Sequence, residues 1–317
     1  VSLWIGNNDV LGYATSGGDG SNPITPVDGA VGVGFTNTYN YLVNTLFPAG
    51  TTRKGIIANI PYVTTIPFFN RVPHNPLTTT VLGSGDAAAG AANVTALNSG
   101  LYGPLKQALT AFGAGDRINL LSATQANPLL IKDVSLTNLS AQLTAALTPS
   151  LGLATATAFG QIFGQARQAT SQDLVLLTTS SVIGTAPVGA PASINKYGIS
   201  FPLENKHILT KTEVENTKVA TDAYNAVIKS AAEGKGLAFV DANAKMAELS
   251  SQSGIQYDGV RYTATFVTGG TFSLDGVHLT GRGYALIANE FMRVINQKYK
   301  STLPMVNINN YSGVTFP

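Results

Sequence analysis

The feature that most limits the fold of this chain is a set of short, almost uninterrupted apolar segments separated by helical patterns. Four of them are predicted strands: Val1–Ile5, Gly55–Pro61, Asp173–Thr179 and Leu237–Asp241. Strands without polar alternation are typical of parallel sheets whose two faces are both buried. Alternating strands and helices also favour parallel crossover connections. The sequence therefore predicts an α/β fold in which helices cover both faces of a mainly parallel sheet.

Three helices are predicted next to these strands. Residues 35–46 carry apolar side chains at helical spacing. Lys211–Glu233 is a long amphipathic pattern that ends at a glycine pair, a common helix stop. A last helix is expected from about Gly281 to Asn296.

Two features near the C-terminus complete the predicted fold. Residues 255–266 form a predicted β-hairpin, in which Asp258-Gly259 provides the turn. After Lys300 the tail, which contains Pro304 and Pro317, is expected to pack without regular structure.

Residues 71–172 interrupt the alternation of strands and helices. After a proline-rich start and a run of small residues, helical patterns appear around Leu101–Phe112, Leu136–Leu147 and Ala156–Ala169. No clear strand set accompanies them. We therefore predict one domain, 1–317, that contains a largely helical insertion at 71–172. By its position the insertion is a candidate lid or substrate-selecting wall.

Composition excludes several function classes. The net charge is +2 and no Lys/Arg-rich run occurs, which argues against nucleic acid as a partner. The absence of cysteine excludes disulfides, thiol catalysis and Cys-ligated metals. The three histidines lack metal-ligand spacing, which argues against catalytic zinc. No apolar run reaches the roughly 18 residues that a transmembrane segment needs.

The segment Phe272–Thr280 contains the residues with the clearest chemistry. Asp275 and His278 lie three residues apart in a glycine-containing loop. A carboxylate in such a pair can fix the imidazole tautomer while the other ring nitrogen faces a nucleophile. On spacing alone, a turn aspartate, a helix-capping Thr280 and an incidental histidine are the better interpretation, so a catalytic role depends on a partner segment. Gly6-Asn7-Asn8-Asp9 follows the first strand, and sites in parallel sheets gather beyond the carboxyl ends of strands.

These two segments resemble known sequence blocks. Gly6-Asn7-Asn8-Asp9 is similar to the G-x-N-D block of the SGNH (GDSL) hydrolases, and Asp275-Gly276-Val277-His278 to their D-x-x-H block. The wider run Phe266–His278, followed by Gly283–Asn289, resembles a branch common in Bacteroidetes envelopes. Over most of the chain, the resemblance implies a three-layer, flavodoxin-like α/β/α fold. It also implies no cofactor and a periplasmic, outer-membrane or secreted location.

The resemblance assigns a role to each matched residue. His278 is expected to be the general base, and Asp275 to orient it. Asn8 is expected to donate its side-chain amide to an oxyanion, and Gly6 to permit close backbone approach. Asp9 is expected to fix the loop as a hydrogen-bond acceptor rather than to catalyse.

The chain departs from the family pattern in one respect. The family nucleophile is the serine of a G-D-S block that precedes G-x-N-D, yet G-x-N-D begins here at residue 6 and no Gly-Asp-Ser occurs. Ser16, Ser21 and Ser84 lie in glycine-rich loops and are predicted turn residues. We hypothesise that the chain is the C-terminal part of a longer hydrolase, whose N-terminal segment supplies the serine and a second oxyanion donor.

Three functions remain open from the sequence. The first is an acyl or acetyl esterase, or a lipase-like enzyme, that acts on a small-molecule, glycan or lipid ester, with the serine upstream of this chain. The second is a catalytically inactive envelope module of the same fold that binds glycan or protein. The third is a structural surface protein, which would make the two sequence blocks coincidental.

Overall fold

A computed structural model describes residues 1–314. In chain order its strands are β1 (Ser2–Leu3), β2 (Ile56–Ala58), β3 (Leu130–Lys132), β4 (Ala166–Gln168), β5 (Leu174–Val175), β6 (Ile208–Leu209), β7 (Ala238–Val240), β8 (Ile255–Tyr257) and β9 (Val260–Tyr262). Its α-helices are α1 (Asn8–Thr15), α2 (Phe35–Leu46), α3 (Pro67–Asn70), α4 (Thr79–Leu82), α5 (Ala87–Leu97), α6 (Gly103–Thr110), α7 (Ser140–Leu151), α8 (Leu153–Phe163), α9 (Lys211–Gly234), α10 (Ala242–Ser250) and α11 (Gly281–Tyr299).

The chain divides into two compact units. The first contains Val1–Arg71 and the chain from Glu213 onward, and the second contains Val72–Thr212. The second unit therefore begins one residue after the start of the predicted insertion and continues forty residues beyond its predicted end at 172.

A small parallel sheet organises the first unit. Its strand order is β1-β2-β7, with Ser2 paired to Ile56 and Ile56 paired to Ala238. The α/β prediction is confirmed at this level. Three of the four predicted strands belong to this sheet, although each is only two or three residues long.

Helices pack around this sheet through its apolar side chains. Ile56, Ala58 and Val240 are fully buried or nearly so, and Phe291 and Ile295 of α11 pack against them. Elsewhere in the unit, α2 packs on α9, where the rings of Phe35 and Tyr224 stack with centroids 4.1 Å apart. The three helices predicted beside the strands are present, and α11 extends three residues beyond the predicted end. In the insertion, the helix predicted at Ala156–Ala169 ends at Phe163, because Ala166–Gln168 forms β4.

The third predicted strand does not belong to the parallel sheet. Within Asp173–Thr179 only Leu174–Val175 forms a strand, and this strand, β5, pairs antiparallel with β6 inside the second unit. The prediction was wrong because a short apolar run shows that a strand is buried but does not specify its neighbour. The second unit also contains the antiparallel pair β3-β4, so the expectation that this region lacks strands of its own was wrong too.

A buried ion cluster fixes β4 and the start of β5. The Arg167 guanidinium donates to Asp133 Oδ2 at 2.7 Å and to both carboxylate oxygens of Asp173 at 2.7 Å. The Asp173 side chain is fully buried, and the other two are at most 13% exposed. Burial by itself raises the pKa of Asp173, but hydrogen bonds from Arg167 and Thr170 outweigh it and hold the pKa below its usual value.

The predicted hairpin is present as β8-β9. Asp258 and Gly259 have φ of 47° and 75°, the left-handed pair that a tight hairpin turn of this type requires. In the tail, Ile308–Asn310 forms one 3-10 turn, so the tail is not wholly irregular. Pro317 lies outside the described residues.

Candidate functional site

The loop that carries Asp275 and His278 is held at both ends. Phe272 is 3% exposed and bridges Leu279 in antiparallel fashion, which closes the loop at its base. The Ser273 amide donates to the His278 carbonyl at 2.8 Å. Thr280 then caps α11 by accepting from the Gly283 amide at 3.2 Å. The loop is thus joined directly to a long helix, as the sequence predicted.

Asp275 and His278 form a hydrogen-bonded pair within this loop. His278 Nδ1 lies 2.7 Å from Asp275 Oδ2. An ionised carboxylate can only accept hydrogen bonds, so Nδ1 carries the proton. In the neutral imidazole the lone pair is then on Nε2, the nitrogen that can act as a base. The His278 side chain is 70% exposed, which leaves the ring accessible.

The second oxygen of Asp275 is occupied by three further donors. Oδ1 accepts from Ser273 Oγ at 2.5 Å, from the Val277 amide at 2.8 Å and from the His278 amide at 3.0 Å. Burial by itself raises the pKa of Asp275, but the hydrogen bonds from Ser273, His278 and the two amides outweigh it. The pKa of Asp275 is therefore well below its usual value. The carboxylate stays ionised and its orientation is fixed.

Gly6–Asp9 marks the change from β1 to a helix. Gly6 has φ of +116°, and a Cβ there would lie 3.2 Å from the Phe35 ring and 3.4 Å from Ile60. The backbone conformation therefore requires glycine, and the Phe35 ring and Ile60 leave little space for a side chain. Asn8 is the first residue of α1 and is exposed.

Asp9 accepts a hydrogen bond from the following loop through its backbone carbonyl, to which the Thr25 amide donates at 3.1 Å, and not through its side chain. Its carboxylate accepts no hydrogen bond within residues 1–314. Its charge acts instead on Tyr224, where burial and then the Asp9 carboxylate raise the pKa of the phenol to about 12.

A single pocket joins the two predicted segments. A cavity of about 320 Å³ is lined by Asn7 and Asn8 from the first segment and by Val277 and His278 from the second. Asp275 lies behind His278, to which it is hydrogen-bonded, and Gly6 is buried outside the lining. The structure therefore brings Asn8, Asp275 and His278 together from opposite ends of the chain.

Within residues 1–314, no serine hydroxyl makes a hydrogen bond to the His278 ring. Ser16 Oγ donates to the Tyr13 carbonyl at 3.0 Å, and Ser21 Oγ donates to Asp19 at 2.5 Å. Ser84 has φ of 53° in a turn. All three have the local roles of turn residues.

Two parts of this site are absent from the sequence-based prediction. Ser273 stands two residues before Asp275, a spacing that favours a side-chain bond to the carboxylate and could have been noticed. The pocket wall is the second part, and it includes Trp4, Met246 and Leu286. These residues appear in the sequence only as ordinary core positions of separate elements.

No helix within residues 1–314 has both the length and the apolar composition needed to cross a bilayer. Comparison with family models, with curated proteins and with solved structures gave no significant match.

Proposed function

We propose that this chain carries the acid–base part of a serine ester hydrolase of the SGNH type. The observation that carries the proposal is the pair His278 Nδ1 and Asp275 Oδ2, 2.7 Å apart, beside a pocket that Asn8 also lines. The proposal includes the family's three-layer fold and a periplasmic, outer-membrane or secreted location. Both of these come from the resemblance of the two sequence blocks.

The proposed reaction uses each residue in a defined step. His278 Nε2 takes the proton of a serine hydroxyl as the serine oxygen bonds to the ester carbonyl carbon. The Asp275 carboxylate stabilises the imidazolium that forms. The Asn8 amide donates to the carbonyl oxygen as it becomes negative. His278 then returns the proton to the leaving alcohol, and the acyl-enzyme is hydrolysed by a water that His278 activates in the same way.

The serine is proposed to come from a segment outside this chain. A location for such a segment is available at the outer edge of β1. β1 pairs with β2 on one side and with no other strand among residues 1–314. Ile5 and Val33 nearby are 43% and 61% exposed. A strand added in parallel to β1 would end at the same edge as Gly6 and Asn8 and could place its last residue near His278.

The experiment is activity-based labelling of the product of the complete reading frame. A fluorophosphonate probe should label a serine, and His278→Ala should abolish the labelling. His74→Ala is the matched control, because His74 belongs to the second unit, and it should label normally. Asn8→Ala should slow labelling by about 10²–10³-fold, the usual effect of one lost oxyanion donor.

Two results would contradict the proposal. One is a folded full-length protein that fails to react with the probe. The other is labelling that persists in His278→Ala at the original rate. The first result would favour a non-catalytic binding module of the same fold, and the second would show a serine that is activated without His278.

A further inference from the structure

We infer that the pocket beside His278 binds one linear, apolar acyl chain rather than an acetyl group or a sugar. This inference deepens the proposed function, and the catalytic meaning of the pocket rests on that function. The binding of an acyl chain does not depend on the proposed function, because an acyl chain can occupy the pocket even when no nucleophile is present.

The wall of the pocket is mostly apolar. It is formed by side chains from five different parts of the first unit, among them Trp4, Leu11, Met246, Phe272, Leu279 and Ile287. Such a surface stabilises a bound ligand mainly by removing the ligand's methylene groups from water. It offers few hydrogen-bond partners to the hydroxyls of a sugar. The composition of the wall therefore selects for hydrocarbon.

The polar groups along the rest of the wall are already engaged. The Lys245 ammonium lies 2.7 Å from Glu248 and 3.8 Å from Glu290, so its charge is compensated. The Thr271 hydroxyl donates to the Thr263 carbonyl at 2.6 Å. The remaining polar side chains are Asn7, Asn8 and His278, from the two sequence blocks, and Tyr284, which carries a phenol on an otherwise apolar ring. An apolar body with polar groups from the reacting centre matches an acyl ester.

The size of the pocket limits the ligand. A volume of about 320 Å³ is at the lower end of the range for ligand pockets, roughly 300–1,000 Å³. It suits one chain of modest length, and it is too small for two acyl chains or an oligosaccharide. An acetyl group would leave most of the apolar wall in contact with water.

Binding can be measured through Trp4, the single tryptophan of the chain, because it lines the pocket. The probes are methyl esters of acids that carry a terminal bromine, which quenches indole fluorescence on contact. The series runs from bromoacetate through ω-bromohexanoate to ω-bromodecanoate. We expect the affinity to rise on the order of fourfold per methylene, until the pocket is filled, which corresponds to about 0.8 kcal/mol per group.

Two alanines on α10 provide a matched pair of variants. Ala242 is 2% exposed and lines the pocket, whereas Ala247 is exposed on the same helix. Ala242→Phe should weaken decanoyl ester binding at least tenfold, and Ala247→Phe should leave it unchanged. Met246→Ala, which enlarges the pocket, should shift the preference to a longer chain. This second variant keeps the inference testable if Ala242→Phe does not fold.

The outcomes separate the two proposals. Quenching that grows with chain length supports the acyl site, even if the full-length protein fails to react with fluorophosphonate. Quenching that is equal for all chain lengths, or that Ala242→Phe and Ala247→Phe weaken equally, overturns the acyl site. If the acyl site is overturned but fluorophosphonate still labels the serine, the esterase proposal holds and the substrate is not a long acyl ester.

Discussion

Ser273 donates its hydroxyl hydrogen to Oδ1 of Asp275 at 2.5 Å, while Oδ2 of the same carboxylate faces His278 Nδ1 at 2.7 Å. The carboxylate is therefore held from both sides. Ser273 contacts the orienting residue and not the imidazole, so it is a positioning residue. Ser273→Ala should raise the pKa of Asp275 towards its usual value, because one of the hydrogen bonds that favour the ionised form is lost.

A carbon-detected NMR titration of the Asp275 carboxyl group measures this shift directly. Ser180→Ala is a suitable control, because Ser180 donates only to the Leu177 carbonyl. An unchanged titration of Asp275 in Ser273→Ala would show that the serine does not contribute to the ionisation of the pair.

The lowered pKa of Asp275 also predicts how stability depends on pH. The group releases its proton at lower pH in the folded state than in the unfolded chain, where its pKa is about 3.9. Its stabilising contribution is therefore fully present above about pH 4 and is lost as the pH falls towards the folded value. The difference in unfolding free energy between the wild type and Asp275→Asn should shrink on acidification.

Urea unfolding at a series of pH values tests this dependence. The difference should be small throughout, since the Asp275 side chain is about half exposed and solvent screens its interactions. A difference that grows as the pH falls would contradict the sign of the shift.

The Arg167 cluster should be essential for the stability of the second unit. Arg167→Ala leaves the carboxylates of Asp133 and Asp173 buried and unpaired, so it should cost about 3–5 kcal/mol. Arg167→Lys should also destabilise, because an ammonium cannot reproduce the two parallel bonds to Asp173.

The exposed pair Lys229 and Glu233 provides the comparison for Arg167. Its charged groups are 4.0 Å apart and more than 60% exposed, so Lys229→Ala should change the unfolding free energy by less than about 0.5 kcal/mol. Equal effects of Arg167→Ala and Lys229→Ala in denaturant unfolding would contradict a special role for the buried cluster.

At Gly90, steric packing and helix propensity predict opposite effects of a substitution by alanine. It lies inside α5, where replacement of glycine by alanine usually stabilises by up to about 1 kcal/mol. A Cβ at this position, however, would lie 1.8 Å from the Thr79 carbonyl oxygen of the neighbouring α4. Gly90→Ala should therefore destabilise by about 1–3 kcal/mol.

Gly100 is the control for Gly90. It lies in the π-helical turn Asn98–Tyr102, and a Cβ there would meet no atom within 4 Å. Gly100→Ala should be neutral or slightly stabilising in thermal unfolding. A stabilising Gly90→Ala would show that α4 and α5 can separate at no cost.

Local features of the fold could be predicted where residues adjacent in the chain determine the backbone conformation or the contact by themselves. The hairpin turn needed two residues with positive φ, and Asp258-Gly259 provides them. The three-residue spacing of Asp275 and His278, within one loop, allows the carboxylate to reach Nδ1 directly. The core strands β1, β2 and β7 could be recognised because uninterrupted apolar runs are required when both faces of a strand are buried.

The sequence by itself thus determined the helices α2, α9 and α11, the hairpin, the buried strands β1, β2 and β7 and the acid–histidine pair, because each depends on residues that are close in the chain. Only the tertiary structure decided which strands are neighbours. The apolar run at 173–179 looked like the others, yet β5 pairs with β6 and is fixed by the Arg167 cluster. Only the tertiary structure placed Asn8 and His278 on one pocket with Trp4. Such contacts depend on side-chain shape across separate elements, and a periodic pattern contains no information about them.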